Sequence, residues 1–324
     1  MKKSMVPEID LPRLIEQFGS EEKCRAFMEA LRWPKSIKCP RCESEKVSRI
    51  KARPQFDCDS CRYQFSATAG TVFHDSHLPL WKWFLAIYIL CESKKGVSAL
   101  QLKRMLGTSY ETAWYLCHRI REAMMKANGT DTRLSGTVEI DDTQVQGERR
   151  KWRPAPEKVY VVGLVERNGR LRFTVVENLG TNALAKAICR RVSANIDLII
   201  TDEWAAYVNA IIPYYDRPVL KRIKHKETYV RGNVYTSNIE NAFSLLKRGI
   251  VGSWHHVSAK HLQRYLDEMS FRFSERKNPR LFSDTLTELV NHADHWNAEA
   301  VCHSHPRRWS RNVCLRAGAR GHNA

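Results

Sequence analysis

The sequence predicts an α/β protein: a mixed sheet flanked by helices, preceded by a small cysteine-stapled unit and a helix-turn-helix. Three observations carry that expectation. Two Cys-x2-Cys pairs lie fifteen residues apart between Cys39 and Cys61. After a polar stretch at Asn128, Gly129 and Thr130 the hydrophobic periodicity turns from helical to strand-like. The run IDLIITD, ending at Asp202, is rich in branched apolar residues, as a strand in the middle of a sheet is. With 324 residues, 43% of them hydrophobic, the chain can bury at least one sizeable core.

Taken in order, residues 1–35 form an N-terminal helical segment in which SEEKCRAFMEALRW starts at a Ser cap and stops at Pro34. Residues 36–70 change texture to short cysteine-bearing strands. Cys39, Cys42, Cys58 and Cys61 supply four thiolates from two tight knuckles, the ligand set of one tetrahedral Zn2+. Four protein ligands leave no open position, so this zinc is expected to be structural.

Residues 75–127 read as three helices, the middle one starting at Ser98 and the last following a break at Gly107. The final two have the form of a DNA-binding helix-turn-helix, with Thr108 and Glu111 as a capping box. Ala113, Leu116, Cys117, Ile120 and Met124 make one apolar stripe. Thr112, Tyr115, His118 and Arg119 are then expected to face outward toward bases and phosphates, although any amphipathic helix has such a polar face.

Residues 134–285 form the largest domain. GTVEIDDTQVQG, EKVYVVGLVER and GRLRFTVVEN are successive strands, the last two joined by an Asn168-Gly169 hairpin signal. The helix TNALAKAICRRV, the strand IDLIITD, the helix EWAAYVNAII, a short strand at PVLKRIKH and a long helix from Asn238 follow. This β-β-β-α-β-α-β-α order is that of a ribonuclease-H-like domain. Residues 286–324 read as a basic tail.

Lys and Arg number 53 against 35 Asp and Glu, a formal charge of +18, which favours a polyanionic partner such as double-stranded DNA. No run is long and apolar enough to span a membrane, and the start MKKSMVPEIDLPRL has no apolar signal region. The cysteines outside the two pairs are scattered singly, as in a reducing compartment. A cytoplasmic protein is therefore expected.

Three acids at element boundaries carry the chemistry: Asp141 in the first strand, Asp202 closing the fourth, and Glu240 opening the long helix. Each has an ordinary use as well, Asp141 as a strand-end turn residue, Asp202 as a helix cap and Glu240 as the partner of Ser237 in a capping box. In the expected topology the first and fourth strands are neighbours, so all three carboxylates converge. Converging carboxylates repel unless cations neutralise them, as two Mg2+ or Mn2+ ions would, and such a pair promotes in-line attack on a phosphodiester. Lys247 shares a helix face with Glu240 and Ser244 and is placed to hold a DNA phosphate, while Lys247 and Arg248 also suit the helix C-terminal dipole. The basic, aromatic stretch RIKHKETYVRGNV adds His225, Tyr229 and Arg231 as candidate DNA contacts.

With these residues in hand, the chain closely resembles the bacterial insertion-sequence transposases that join an N-terminal zinc ribbon to a ribonuclease-H-like DDE domain. The matching stretches are LRWPKSIKCPRC, VEIDD, TDEWAAY and YVRGNVYTSNIENAFSLLKRGIVGSWHHVSAKHLQRYLDEMSFRF, covering roughly Ser20 to Arg276. The resemblance implies cleavage at the terminal inverted repeats of a transposon and strand transfer into target DNA by a dimer or larger assembly. It carries the metal-binding acids over as Asp141, Asp202 and Glu240, followed by the basic Lys247. Where the family often has Glu after the first acid this chain has Asp142, and related elements use Asn as third ligand, so Asp142 and Asn238 are the alternatives. Two further readings are a zinc-ribbon DNA-binding regulator with an inactive nuclease-like domain, and a nuclease or resolvase of the same fold.

Overall fold

The computed structural model describes residues 9–127, 132–146, 158–216, 219–223, 234–255 and 257–291. They form a large unit of residues 9–26 and 78–289 and a small unit built on residues 27–77. His225, Tyr229, Arg231, His256 and most of the expected basic tail lie outside the described residues. No helix among the described residues is long and apolar enough to cross a membrane.

In the small unit, β1 (Val47–Arg49), β2 (Phe56–Cys58) and β3 (Gln64–Phe65) make an antiparallel sheet in that order. Its core is little more than Cys39, Phe56, Cys58, Phe65 and Ala69, with the Trp33 ring edge-on to Phe56 and Phe65 at 5.5 and 5.8 Å. So few apolar groups do not fold a domain unaided, and a metal staple is the usual remedy.

The large unit begins with α1 (Leu11–Phe18) and the first part of α2 (Glu21–Arg32). Then come α3 (Leu80–Glu92), α4 (Ala99–Leu106) and α5 (Tyr110–Ala127). Ser98 caps α4 through the Gln101 N–H (3.1 Å), and Gly107 ends it in the left-handed region at φ 59°. Ser109, one residue after the expected Thr108, caps α5 by accepting from the Thr112 N–H (3.1 Å).

The sheet that follows has the order β6-β5-β4-β7-β8. Its strands are β4 (Thr137–Gln146), β5 (Lys158–Glu166), β6 (Leu171–Val176), β7 (Leu198–Asp202) and β8 (Leu220–Ile223). The first three pair antiparallel; β4–β7 and β7–β8 pair parallel, completing the ribonuclease-H-like arrangement. Asn168 takes a left-handed φ of 58° in the β5–β6 hairpin, the backbone its sequence signal requires.

Helices cover both faces. On one, α6 (Thr181–Arg191) and α7 (Ala205–Ile211) pack on Val138, Ile140, Val162, Leu164 and Ile199. On the other, α8 (Ser237–Gly249) and α9 (Ala259–Ser274) cover Val145, Val161, Val165 and Phe173.

The helix expected from Asn238 is α8, which passes into a π-helical turn, Ile250–Trp254; His255 takes φ 57°, and α9 starts afresh after Ser258. At Gly249 the backbone lies close to the segment before α4: a Cβ there would stand 2.9 Å from the Lys95 carbonyl. One expectation is corrected here: a tail does not begin at 286, since α10 (Leu281–Asn291) is helical through that point, burying Phe282, Leu286 and Leu289, with Phe282 against Phe18 and Phe84.

Candidate functional site

The four cysteines meet. Sγ of Cys39 lies 3.6 Å from that of Cys61, and Sγ of Cys42 lies 3.6 Å from that of Cys58. Tetrahedral zinc with bonds of about 2.3 Å sets its sulfurs about 3.8 Å apart, so the quartet fits that ion. The two knuckles repeat one backbone design. After each second cysteine the chain turns left-handed, at Glu43 and Arg62, both with φ 59°. The N–H of that residue returns to the carbonyl of the first cysteine, at 2.9 Å for Cys39 and 2.8 Å for Cys58. In the first knuckle the Arg41 N–H also donates to the Cys39 sulfur at 3.4 Å, the kind of bond that supports a thiolate.

The acids come from β4, β7 and α8. Alternation along β4 turns Glu139, Asp141 and Val145 toward α8, and Ile140 and Asp142 toward α7. Parallel pairing with β7 runs to Glu139 opposite Ile200; two residues further along each strand stand Asp141 and Asp202. Across the antiparallel side Asp141 faces Gly163, where a Cβ would lie 2.7 Å from the Ile239 side chain and 2.8 Å from the Phe243 ring. The missing side chain lets the first turns of α8 lie close on the sheet and brings the exposed Glu240 beside β4.

Electrostatics record the same convergence. Burial, joined by the charges of Asp142, Asp202 and Glu240, outweighs the hydrogen bond from the Asp142 N–H (2.8 Å) and pushes the Asp141 carboxyl up to about 7. Glu240 accepts from the Thr236 hydroxyl at 3.1 Å, and Asp202 from the Trp204 N–H at 3.1 Å. The cysteines are the group among the described residues whose ligand atoms all lie within 4.8 Å of one another; the three acids are spaced more openly.

Their neighbours are committed elsewhere. The buried Tyr207 hydroxyl donates to Asp142 at 2.8 Å on the α7 side. Asn238 donates its side-chain amide to Glu139 at 2.8 Å. Glu139 and Tyr207, with Arg167 and Gly163, shape the site without having stood out as site residues in the sequence. A Glu placed on the same strand face as Asp141, between the apolar Val138 and Ile140, was the available signal.

The face expected to read DNA is corrected in part. Thr112 is exposed and Tyr115 partly buried, but His118 is 0% and Arg119 2% exposed. α9 covers that side of α5. His118 is enclosed by Trp114, His261 and Tyr265, with ring centroids at 4.1, 5.0 and 5.6 Å, and burial and then the charge of Arg121 push it down to about 2. Arg119 lies over the Trp83 and Tyr115 rings. Next to them Arg121 pairs with Glu268 at 2.5 Å and Arg272 with the same carboxylate at 3.1 Å, all three buried. On α8, Lys247 and Arg248 are exposed in the last turn.

A model of the ISXO2-like transposase domain matches residues 133–274, which hold all three acids, and one of the transposase zinc-ribbon domain matches residues 19–64, which hold all four cysteines. An uncharacterised protein of the transposable element ISH50 from Halobacterium salinarum is 26% identical over 287 residues, 82% of this chain and 95% of that protein. Among solved structures, the Mos1 strand transfer complex aligns with a TM-score of 0.30 and 10% identity over 70% of this chain and 79% of that one. The Mos1 mariner paired-end complex with Mn aligns with a TM-score of 0.28 and 11% identity over 68% and 78%.

Proposed function

We propose that the chain is a transposase of the ISXO2-like kind with a transposase zinc ribbon, and that it cuts transposon ends and joins them to target DNA at a site formed by Asp141, Asp202 and Glu240. The observation that carries this reading is the placement of Asp141 on β4 and Asp202 on the adjoining β7, each two residues past the paired Glu139 and Ile200, with Gly163 letting α8 lie close enough for the charges of Asp202 and Glu240 to bear on Asp141. A carboxylate held in that field is one that divalent cations stabilise. Asp141 is preferred over Asp142, which Tyr207 engages, and Glu240 over Asn238, which Glu139 engages.

Two Mg2+ or Mn2+ ions, when bound, would supply Lewis-acid stabilisation of the attacking and leaving oxygens. Asp141, Asp202 and Glu240 would hold them from two strands and one helix, a more rigid platform than loops provide. Lys247, two turns along α8 from Glu240, holds a phosphate of the strand being cut. In the first step a water oxygen bonds to phosphorus and the bond to the 3′ oxygen breaks, the leaving oxygen gaining a proton as the attacking one loses its own. In the second, the freed 3′ hydroxyl attacks a target phosphodiester and displaces its 3′ oxygen, so one phosphodiester bond forms for each one broken.

The zinc ribbon, with one structural Zn2+, and the exposed start of α5 at Thr112 are the surfaces we assign to binding the terminal repeats. His118 and Arg119 are not, since reaching DNA would require stripping α9 from α5. Arg231 is retained as a DNA contact, and the protein is expected to act on paired ends as a dimer or larger assembly. Incubation with labelled transposon-end DNA, target DNA and Mg2+ tests this: joined products support transposition, cleavage alone points to a nuclease, and binding alone to a regulator.

A further inference from the structure

Glu139 is a carboxylate with no solvent exposure, between the buried Val138 and Ile140 of β4. Its Oε2 accepts from the backbone N–H of Asn238 at 3.0 Å and of Ile239 at 3.3 Å. Its Oε1 accepts from the Asn238 side-chain amide at 2.8 Å and from Arg167 Nε at 3.1 Å. Arg167 is itself fixed, donating to the Tyr235 carbonyl at 3.3 Å with its guanidinium 3.8 Å from the Tyr235 ring centre.

The first turn of a helix has backbone N–H groups without intrahelical partners, and they are ordinarily met by the residue just before it. In α8 that residue, Thr236, makes no side-chain capping bond to the backbone. The cap comes instead from a strand 99 residues away in the chain. Its negative charge also suits the positive end of the helix. The clamp joins two residues that each lie two positions before an acid: Glu139 before Asp141, and Asn238 before Glu240. Whatever holds the first pair therefore sets the separation of the second.

We propose that Glu139 is a positioning residue: it fixes the N-terminus of α8 against β4 so that Glu240 and Asp141 share one metal-binding geometry. This rests on the acid-site reading above. Glutamine in its place keeps the volume but offers an amide where one oxygen now accepts, leaving the Arg167 side or the helix N–H groups unmet.

The test titrates Mn2+ into the full-length protein and follows the metal-induced rise in melting temperature, alongside end-DNA affinity and cleavage rate. Glu139→Gln is expected to weaken apparent Mn2+ affinity at least tenfold and cleavage about a hundredfold, with end-DNA affinity within twofold of the parent. Asn238→Ala removes only the side-chain bond and should show a smaller loss of the same kind; it decides the matter if Glu139→Gln does not fold. A variant that melts earlier yet keeps its Mn2+ affinity and cleavage rate would overturn the proposal and leave Glu139 a stabilising residue only. Asp141→Ala serves as the separate control: if it keeps both Mn2+ response and cleavage, the acid-site reading fails, whatever Glu139 does.

Discussion

Gly163 stands opposite Asp141 in the β4–β5 ladder, and the space its side chain would fill is taken by Ile239 and Phe243 of α8. Close approach of helix to sheet at this one point brings the turn bearing Glu240 beside the strand bearing Asp141. Gly163→Ala should overpack the contact, costing about 1–3 kcal/mol in urea unfolding. It should also lower metal-dependent cleavage by more than that loss of folded protein explains. Full activity in the variant would mean that α8 tolerates displacement.

Asp141 sets a pH dependence. Its ordinary value is 3.8 and its folded value about 7, so the proton is bound more tightly in the folded state. Stability from this source is complete below about 3.8 and is lost as pH rises through 7. In metal-free protein, the melting temperature of wild type relative to Asp141→Asn should fall between pH 4 and 7. Mn2+ should restore it above 7, and apparent Mn2+ affinity should drop toward tenfold per pH unit below 7, as one proton competes with the metal. A difference independent of pH would show that Asp141 does not titrate there.

The zinc site should hold one ion per chain, measured by elemental analysis. Cys58→Ser should lose it together with the protection of residues 27–77 from proteolysis, because the small core there has few apolar groups to fall back on.

Burial separates two charged residues of the large unit. Glu268→Ala leaves Arg121 and Arg272 buried without their shared carboxylate and should destabilise by about 3–5 kcal/mol. Lys247→Ala, at an exposed position, should change stability by less than about 0.5 kcal/mol while slowing cleavage roughly tenfold or more, the worth of one charge-assisted bond to phosphate. Chemical denaturation paired with the cleavage assay distinguishes the two profiles.

What could be read in the sequence was what depends on neighbours in the chain. The cysteine knuckles turn on short backbone bonds, the Asn168-Gly169 hairpin on a left-handed residue, and the α4 cap on Ser98. Misreadings came from partners far away. His118 and Arg119 sit on a face of α5 that looks like any solvated polar face until α9 arrives; Arg121 beside them meets Glu268 147 residues later. In the same way Asp142 waits for Tyr207, 65 residues on, and Glu139 for Asn238, 99 residues on.

The central claim is that Asp141, Asp202 and Glu240 act as one metal-dependent centre, and the most direct measurement is Mg2+-dependent cleavage and joining of labelled end DNA by the three single alanine variants and the triple variant. The account predicts that each single change abolishes both products while end-DNA affinity stays within twofold, and that the triple variant is no worse than the singles, as residues acting as a unit behave. Retained cleavage in any one of the single variants, or losses that add from one acid to the next, would contradict it.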